Sequence, residues 1–506
     1  MSVSPLSAMQ LYTPCPPELF AFASSRELAA GTERIEQQRA ARAMELATAI
    51  GADGFNLFVM GAPGSGRHTL VRHHLDGHAP DRPTPPDWCY VHNFELPHKP
   101  WALRFEPGVG RRFSAAMAQL LEDLKSTVPA LFEGEDYQTR RHAIEAGVKQ
   151  RQDEALSALR DKAREQGIAF MTTPGGFAFA PLQDGEVMPP DAFHKLTGQQ
   201  QEEIESRVAV LQKELQETVR QFPNWMKEAR RRIKQLDQEM TRAAVVHLVE
   251  AVAHEFGADQ EVADYLQRLL DDVVDNAELF RGPPEGAPPF MATAEPPLER
   301  YQVNLLVSHG ENGGAPVIFA DHPSYANLIG RIEHQAQFGA LRTDFTLIKP
   351  GLLHEANGGF LIIDAARLLV EPFAWDALKR VLRSRELKLE PLDQRLSLIS
   401  TVSLEPEPIP VQVKVVLIGD RYLYYLMSQL DPDFAELFKV VADFDDDIQR
   451  TPDNVQRLAT TVAHLAESDG LLPLDGGGMA RVVEHTARLA VDTQKLSARI
   501  SPIRDL

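Results

Sequence analysis

The 506-residue sequence has only two cysteines, Cys15 and Cys89. This number implies no disulfide framework and excludes a cysteine-rich zinc module. The amino terminus lacks a basic segment followed by an apolar one, which excludes an ordinary secretory signal. No apolar run reaches the roughly 18 residues that a membrane span requires. We therefore expect a protein of the reducing cytoplasm with no membrane partner.

Basic residues are fewer than acidic residues in this sequence. Lys and Arg total 52 against 72 Asp and Glu, which gives a formal net charge of −20. A general nucleic-acid coat or a binder of anionic membranes would carry the opposite balance, so we expect no nucleic-acid partner. A local basic patch remains compatible with this total. Hydrophobic residues make up 43% of the chain, enough for a large core, which excludes global disorder.

Composition and hydrophobic spacing divide the chain into segments, and the length predicts about three domains. In the amino-terminal arm, four prolines between positions 5 and 17 oppose regular structure. In residues 31–113 and 301–450, apolar strand-like runs alternate with helical segments, which predicts a parallel sheet with helices on both faces. The segments are the arm (1–30), the first α/β part (31–113), a helical insertion (114–281), a Pro-rich linker (282–300), the second α/β part (301–450) and a carboxyl-terminal helical region (451–506).

The predicted strands are short apolar runs bounded by turn residues. They are FNLFVM (55–60), WCYVHNF (88–94), YQVNLLV (301–307), PVIFA (316–320), GGFLIID (358–364) and VKVVLIGD (413–420).

The insertion has the apolar spacing of a coiled-coil seam. Leucine, isoleucine and valine recur at intervals of three and four up to position 215, and the pattern restarts after Pro223. The basic run 230–232 favours a solvated helix face over a nucleic-acid site.

Between these helices, FMTTPGGFAFAPL predicts a hairpin with a Pro174-Gly175-Gly176 turn. Its aromatic residues are either packing at the tip of a helical arm or a surface that grips a partner chain. We assign the second role, substrate binding, to Phe170, Phe177 and Phe179.

A glycine-rich turn follows the first predicted strand and approaches the phosphate-binding pattern G-x-x-x-x-G-K-[ST]. Glycines there let successive N–H groups point at phosphate oxygens, and the following helix adds its dipole. Arg67 stands where the pattern has lysine and keeps the charge with a different geometry. His68 replaces the hydroxyl residue and is a poor Mg²⁺ ligand, while Thr69 could substitute only with a shift. The predicted cofactor-binding residues are Gly61, Ala62, Pro63, Gly64, Ser65, Gly66, Arg67, His68 and Thr69.

An ordinary strand–helix turn is an equally good explanation of this pattern taken alone. Asp364 ends another apolar strand, as does the aspartate that holds Mg²⁺ in P-loop ATPases. Ala365 follows it, where a hydrolytic glutamate often stands. Asp420 ends a further strand and could sense a γ-phosphate, and Arg481 could reach the nucleotide from a helix. Buried strand ends and solvated helix arginines are the alternatives.

From about residue 15 to residue 506 the sequence resembles the ATPase region of bacterial Lon-related, LonB-type proteases. The stretch from Asn327 to Phe444 is the most specific, with GALRTDFTLIKPGLLHEANGGFLIIDAARLL and DPDFAELFKVVADF. The resemblance implies an AAA+ α/β domain with a helical lid at 451–506 and a protruding helical insertion. It also implies ATP and Mg²⁺ as cofactors, six-membered rings, and delivery of unfolded or damaged polypeptide to a Ser–Lys protease domain.

Carried over by position, the resemblance places the glycines and Arg67 on the phosphate loop and Asp364 on the Mg²⁺-binding strand. It makes Asp420 the first sensor and Arg481 the second. No stretch resembles the Ser–Lys motifs, so we expect the protease domain outside this sequence. Two functions compete: a nucleotide-driven unfoldase and substrate gate, and a nucleotide-independent substrate scaffold with a degenerate ATP site. A coiled-coil chaperone or nucleic-acid-handling arm is a weaker third.

Overall fold

The computed structural model describes residues 5, 7, 12–29, 37–173, 176–183, 185–281, 298–311, 313–337, 340–390 and 404–506. Contacts along the chain separate two compact units: residues 1–115 with 302–506, and residues 116–301. Among the described residues, no helix combines the length and apolarity needed to cross a membrane.

The described helices are α1 (Arg26–Ala29), α2 (Gln38–Ala49), α3 (Arg67–His78), α4 (Val109–Glu133), α5 (Glu135–Glu165), α6 (Pro190–Phe193), α7 (Gly198–Phe256), α8 (Gln260–Asp275), α9 (Tyr325–Ile329), α10 (Leu352–Glu355), α11 (Ala365–Val370), α12 (Ala374–Ser384), α13 (Arg421–Leu430), α14 (Phe434–Leu437), α15 (Pro452–Ser468), α16 (Gly476–Leu489) and α17 (Ser501–Arg504).

The described strands are β1 (Leu57–Met60), β2 (Asp87–Val91), β3 (Trp101–Phe105), β4 (Ile168–Thr173), β5 (Gly176–Gln183), β6 (Glu186–Val187), β7 (Val303–Val307), β8 (Val317–Ala320), β9 (Arg331–Ile332), β10 (Gln335–Gln337), β11 (Ala340–Arg342), β12 (Ile348–Lys349), β13 (Phe360–Asp364), β14 (Glu386–Leu387), β15 (Ile409–Pro410), β16 (Lys414–Gly419), β17 (Val440–Asp443), β18 (Asp447–Gln449) and β19 (Lys495–Ser497).

A five-stranded parallel sheet forms the centre of the first unit. Its strand order is β17-β1-β16-β13-β8, and every neighbouring pair runs parallel. Alternate residues of β1 enter two different cores: Phe58 packs in one apolar cluster, and Leu57 and Val59 in the other. Both faces are therefore covered, as the continuous apolar strands require. The predicted α/β fold with a parallel sheet is confirmed.

Two of the predicted strands lie in a different sheet. β2 pairs antiparallel with β3 and with β7, so the runs 88–94 and 301–307 do not join the parallel sheet. Periodicity could not reveal this, because a fully buried strand shows the same apolar run in either kind of sheet.

The second unit is built on α5 and α7, which run antiparallel. The Tyr137 hydroxyl donates to Asp237 at 2.7 Å, and Lys162 pairs with Glu214 at 2.5 Å. Helix α7 continues through Pro223, the residue after which the apolar pattern restarts. A proline costs one backbone hydrogen bond, but the turns on either side keep theirs and the helix remains packed. Supercoiling of the two helices stays a prediction.

Strands β4 and β5 form the predicted antiparallel hairpin between these helices, with Phe170 opposite Phe179. Pro174 and Gly175 of its predicted turn lie outside the described residues.

The carboxyl-terminal helices share a core with part of the predicted arm. Cys15 and Phe20 are buried beside Leu458 and Met479, so this stretch of the arm is packed rather than extended. Residues 451–506 also contribute β19, which pairs with β18 and corrects the prediction of a purely helical region. The predicted Pro-rich linker lies outside the described residues from 282 to 297.

Candidate functional site

The glycine-rich turn between β1 and α3 has a backbone that only glycine adopts easily. Gly64 and Gly66 have φ angles of +80° and +77°. At Gly61 a side chain would place its first carbon 2.8 Å from the Cβ of Phe444. The turn therefore needs glycine at its first position because of close packing, and at its fourth and sixth positions because of the left-handed conformation.

Ser65 provides a test of whether this turn fits a phosphate group. Its backbone N–H donates to the Ala62 carbonyl at 3.3 Å, which closes the turn around Pro63. Its hydroxyl is buried, and it has no hydrogen-bond partner in the described part of the chain. A buried hydroxyl without a partner is unfavourable, and a phosphate oxygen would supply the missing acceptor. In this respect the turn fits a phosphate group.

Parallel pairing brings the ends of three strands to the same edge of the sheet as this turn. Met60 of β1 lies opposite both Gly419 of β16 and Asp443 of β17. Asp364 ends β13, the strand on the other side of β16. Across this edge, His68 Nε2 lies 3.9 Å from Asp364 Oδ2. The glycine-rich turn and Asp364, the predicted Mg²⁺-binding carboxylate, therefore lie close together at one edge of the sheet.

Both predicted acidic residues also cap helices. Asp364 accepts a hydrogen bond from the Arg367 N–H at 3.0 Å, and Asp420 accepts one from Leu423 at 2.7 Å. Each carboxylate is therefore fixed at the start of a helix, where the dipole stabilises negative charge.

Arg67 is held against the end of β16. Its guanidinium donates to the Gly419 carbonyl. Burial lowers the pKa of Arg67, while the nearby carboxylates of Asp364 and Asp420 oppose that shift. An arginine remains charged under these conditions, so the site keeps one fixed cation beside the loop.

His68 occupies the position of the usual hydroxyl ligand and makes a poor Mg²⁺ site. Its ring meets Phe319 edge-on at 6.0 Å, and burial lowers its pKa although Asp364 opposes the shift. Thr69 is exposed on α3. Mg²⁺ prefers oxygen ligands in an octahedral arrangement. Asp364 is the side chain here that suits the ion, so the residues fit a phosphate better than they fit the metal.

A second arginine at this edge escaped the sequence analysis. Arg421 donates to Asp443 at 3.0 Å, to Asp446 at 2.8 Å and to the Phe444 carbonyl. Because β16 and β17 flank β1, Arg421 ties together the strands on both sides of the loop. The only sequence signal was its position directly after Asp420.

The carboxyl-terminal end of the lid region (451–506) contacts the glycine-rich turn. The N–H groups of Ile500 and Ser501 lie 2.8 and 3.2 Å from the Gly64 carbonyl. Arg481 instead donates to Glu484 at 2.6 Å and to the Tyr12 hydroxyl at 2.9 Å, and its contacts among described residues do not include the loop. The structure thus brings other lid residues, not the predicted second sensor, to the loop.

The three hairpin phenylalanines lie together, and they differ in exposure. The Phe170 ring is 5.3 Å from both Phe177 and Phe179. Phe170 and Phe179 pack on a buried cluster that includes Leu159 and Leu211, whereas Phe177 is 37% exposed. Of the three, Phe177 is therefore the side chain most available to a partner.

Comparisons with known proteins agree with this architecture. Family models match at residues 313–445 (LonB-like, AAA domain), 87–120 (Lon-like LonC helical domain) and 473–506 (archaeal LonB, AAA+ ATPase LID domain). The AAA range contains Asp364 and Asp420, while the loop 61–66 precedes it. No model of a protease domain matches.

Two curated relatives are similar over part of their length. The putative Lon protease homolog of Escherichia coli is 32% identical over 23% of this chain and 20% of its own. The archaeal Lon protease of Archaeoglobus fulgidus is 24% identical over 42% of this chain and 34% of its own. This chain therefore spans about a fifth and a third of these relatives.

A crystal structure of NtrX from Brucella abortus aligns with a TM-score of 0.23 and 15% identity, over 35% of this chain and 41% of that one, a likeness too low to carry an argument. The AAA match covers four strands of the parallel sheet, β8, β13, β16 and β17, and the LID match covers α16 and α17. Over residues 313–445 and 473–506 the chain is therefore similar to the AAA and LID domains of Lon-related AAA+ proteins.

Proposed function

We propose that this chain is the ATP-binding, substrate-unfolding and gating module of a Lon-like ATP-dependent protease. The observation that carries this proposal is the meeting of the glycine loop with Asp364 at one sheet edge, with His68 Nε2 3.9 Å from the carboxylate. The loop N–H groups, the Ser65 hydroxyl and Arg67 would hold the phosphates. Asp364 would hold Mg²⁺ through water, and the ion would neutralise phosphate charge.

The rest of this function concerns partners. The exposed Phe177 ring on the β4–β5 hairpin supports capture of unfolded or damaged polypeptide, because such chains expose apolar side chains. The similarity to Lon-related proteins supports delivery to a Ser–Lys protease domain, assembly into six-membered rings and action as a serine protease complex. The cytoplasmic location stays a prediction.

A nucleotide-independent scaffold is the second candidate, and three observations favour it. His68 replaces the hydroxyl ligand, and Ala365 replaces the carboxylate that would orient water. The lid turn at Ile500 also donates to Gly64, inside the loop itself. In this alternative the same fold holds substrate at the chamber entrance without ATP turnover.

Calorimetric titration of the full chain with ATP and Mg²⁺, with the assembly mass measured in the same buffer, separates the two candidates. Asp364→Asn should weaken the Mg²⁺-dependent part of binding, while Asp453→Asn, an exposed helix residue, serves as the matched control. Binding with turnover supports the motor. No heat of binding at millimolar ATP supports the scaffold and contradicts the proposal.

A further inference from the structure

A cavity of about 340 Å³ lies at the amino edge of the central sheet, opposite the glycine loop. Asn56, Gly359 and Lys414 line it, and they mark the points where β1, β13 and β16 begin. Strands of this length separate the two edges by on the order of 15 Å. Cavities from roughly 300 Å³ upward are large enough for a small ligand.

Lys414 is half-buried in this cavity and has no carboxylate partner among the described residues. Its ammonium group donates to the carbonyls of Ile50 and Phe55, each at 2.8 Å. An ammonium group has three donors, so these two bonds leave one N–H unused. Two carbonyl dipoles compensate a buried charge less completely than an anion does.

Arg82 brings a second cation to the same cavity. Its guanidinium donates to the Thr48 carbonyl and lies 4.6 Å from the centre of the Phe360 ring. In the described ranges it too forms no ion pair with a carboxylate. The two cations are close enough to affect each other: burial, and then the charge of Arg82, lower the pKa of Lys414 to about 8.

The cavity as a whole carries more positive than negative charge. Its lining includes Arg82, Arg385 and Lys414 against the single carboxylate of Asp53, which pairs with Arg385. Half-buried like charges without a counter-ion are unfavourable, and an anion would relieve both the repulsion and the desolvation cost.

We propose that this cavity binds a small phosphate-bearing anion through Lys414 and Arg82. An arginine fork and an ammonium group are the usual protein partners of phosphate oxygens. The site is separate from the glycine loop and does not depend on ATP binding there. The anion is either free phosphate or the phosphate group of a small monoester.

Thermal unfolding of the full chain in inorganic phosphate, against chloride at equal ionic strength, tests the site. We expect phosphate to raise the Tm of the wild type, and we expect Lys414→Met and Arg82→Met to lose that increase. Lys99→Met, at an exposed lysine paired with Glu405, should keep it. Arg67→Ala separates this site from the glycine loop, because it removes the cation of the loop and leaves Lys414 and Arg82 in place. An increase that disappears in Arg67→Ala and persists in Lys414→Met would assign phosphate to the loop and overturn the proposal.

A measurement on the unmodified chain avoids any folding defect of these variants. A bound anion favours the charged amine. A rise of one unit from a pKa of about 8 lowers the neutral, reactive fraction of Lys414 at pH 8 roughly fivefold. Phosphate should therefore slow acylation of Lys414, measured by mass spectrometry near pH 8, and leave Lys99 unchanged. Equal acylation rates with and without phosphate would overturn the proposal. Lys414 would then serve only to hold residues 50–55 in place through its hydrogen bonds.

The same labelling experiment distinguishes the two sources of the anion. Stronger protection by glycerol phosphate than by inorganic phosphate at equal concentration assigns the site to a monoester. Equal or stronger protection by inorganic phosphate assigns it to the free ion.

Discussion

Arg67 stands at the position where a phosphate loop usually carries lysine, and its surroundings make it more than a simple replacement. A lysine would place a mobile point charge in the loop, whereas the Arg67 guanidinium is fixed by the Gly419 carbonyl at the end of β16. The loop and the neighbouring strand are therefore coupled through this side chain.

We expect Arg67→Ala to weaken or abolish ATP binding, because it removes the only cationic side chain of the loop. A charge-assisted bond to phosphate contributes about 1.5–3 kcal/mol, so affinity should fall at least roughly 10- to 150-fold. Arg67→Lys should restore part of the loss. Arg72→Ala, which removes an exposed arginine of the same helix paired with Asp76, is the control in calorimetry. An unchanged affinity in Arg67→Ala would remove this residue from the site.

Glu484 connects the lid to the amino-terminal stretch. Its side chain is 6% exposed and accepts from the Cys15 N–H at 2.8 Å and from Arg481 at 2.6 Å. Burial opposes its ionisation, but these donors and the Tyr12 hydroxyl outweigh burial and lower the pKa of Glu484.

We predict that Glu484→Gln lowers the free energy of unfolding by about 1.5–3 kcal/mol at neutral pH, since bonds to a charged group are lost. Because the folded-state pKa is lowered, the stabilisation is fully present above the unfolded pKa of about 4.3. It disappears as the pH falls through the folded pKa. Urea unfolding at several pH values should show the wild type and Glu484→Gln converging in acid. Glu467→Gln, on an exposed face of α15, should show no such difference.

At the scale of elements, the β4–β5 hairpin combines two roles that the sequence could not separate. Alternation places aromatic residues along both strands, but only packing on α5 and α7 decides which rings are covered. Phe170 and Phe179 rest on Leu159 and Leu211, and Phe177 remains 37% exposed.

We therefore expect Phe177→Ser to reduce capture of an unfolded protein with little change in Tm. Phe170→Ser should lower Tm, because its half-buried ring packs on the cluster of Leu159 and Leu211. Full burial of a phenylalanine contributes about 1.5–3 kcal/mol, so we expect a loss below that range. Binding of a permanently unfolded, fluorescently labelled protein, measured beside thermal unfolding, checks both variants. Unaltered capture by Phe177→Ser would make the hairpin a packing element.

Helix α7 is continuous although its sequence contains a proline that disfavours a helix. A proline inside a helix costs roughly 3 kcal/mol, so the sequence favours an interruption at Pro223. The helix nevertheless runs from Gly198 to Phe256. The long antiparallel contact with α5 outweighs one local defect, and this energy is not visible in a short window of sequence.

At the scale of the whole molecule, the net charge of −20 is the dominant electrostatic property. The three arginines at 230–232 are exposed on α7, and one of them, Arg232, is paired with Glu228 at 2.7 Å. Such a patch is small against the surrounding negative potential.

We predict that any binding of double-stranded DNA at low salt disappears at physiological ionic strength, because phosphate contacts are displaced by counterions. Fluorescence anisotropy across a salt series measures this. Persistent binding that is lost on replacing all three arginines by alanine would restore the nucleic-acid-handling hypothesis.

Local patterns in the sequence were sufficient to predict the parallel sheet, the glycine-rich turn, the hairpin and the acidic strand ends. Each of these features depends on neighbours a few residues away in the chain. They also supported the resemblance to Lon-related proteins. The functional roles of Asp364, Asp420 and the hairpin residues stay predictions.

Contacts between distant parts of the chain were decided only by tertiary structure. The placement of β2 and β7 in a separate sheet, Arg421 across the loop strand, and Ile500 rather than Arg481 at Gly64 all depend on how strands and lid pack. The same holds for Lys414 and Arg82, which share a cavity although the sequence separates them widely. Sequence periodicity records which residues are buried, whereas the partner of each buried charge is fixed only when the whole core is assembled.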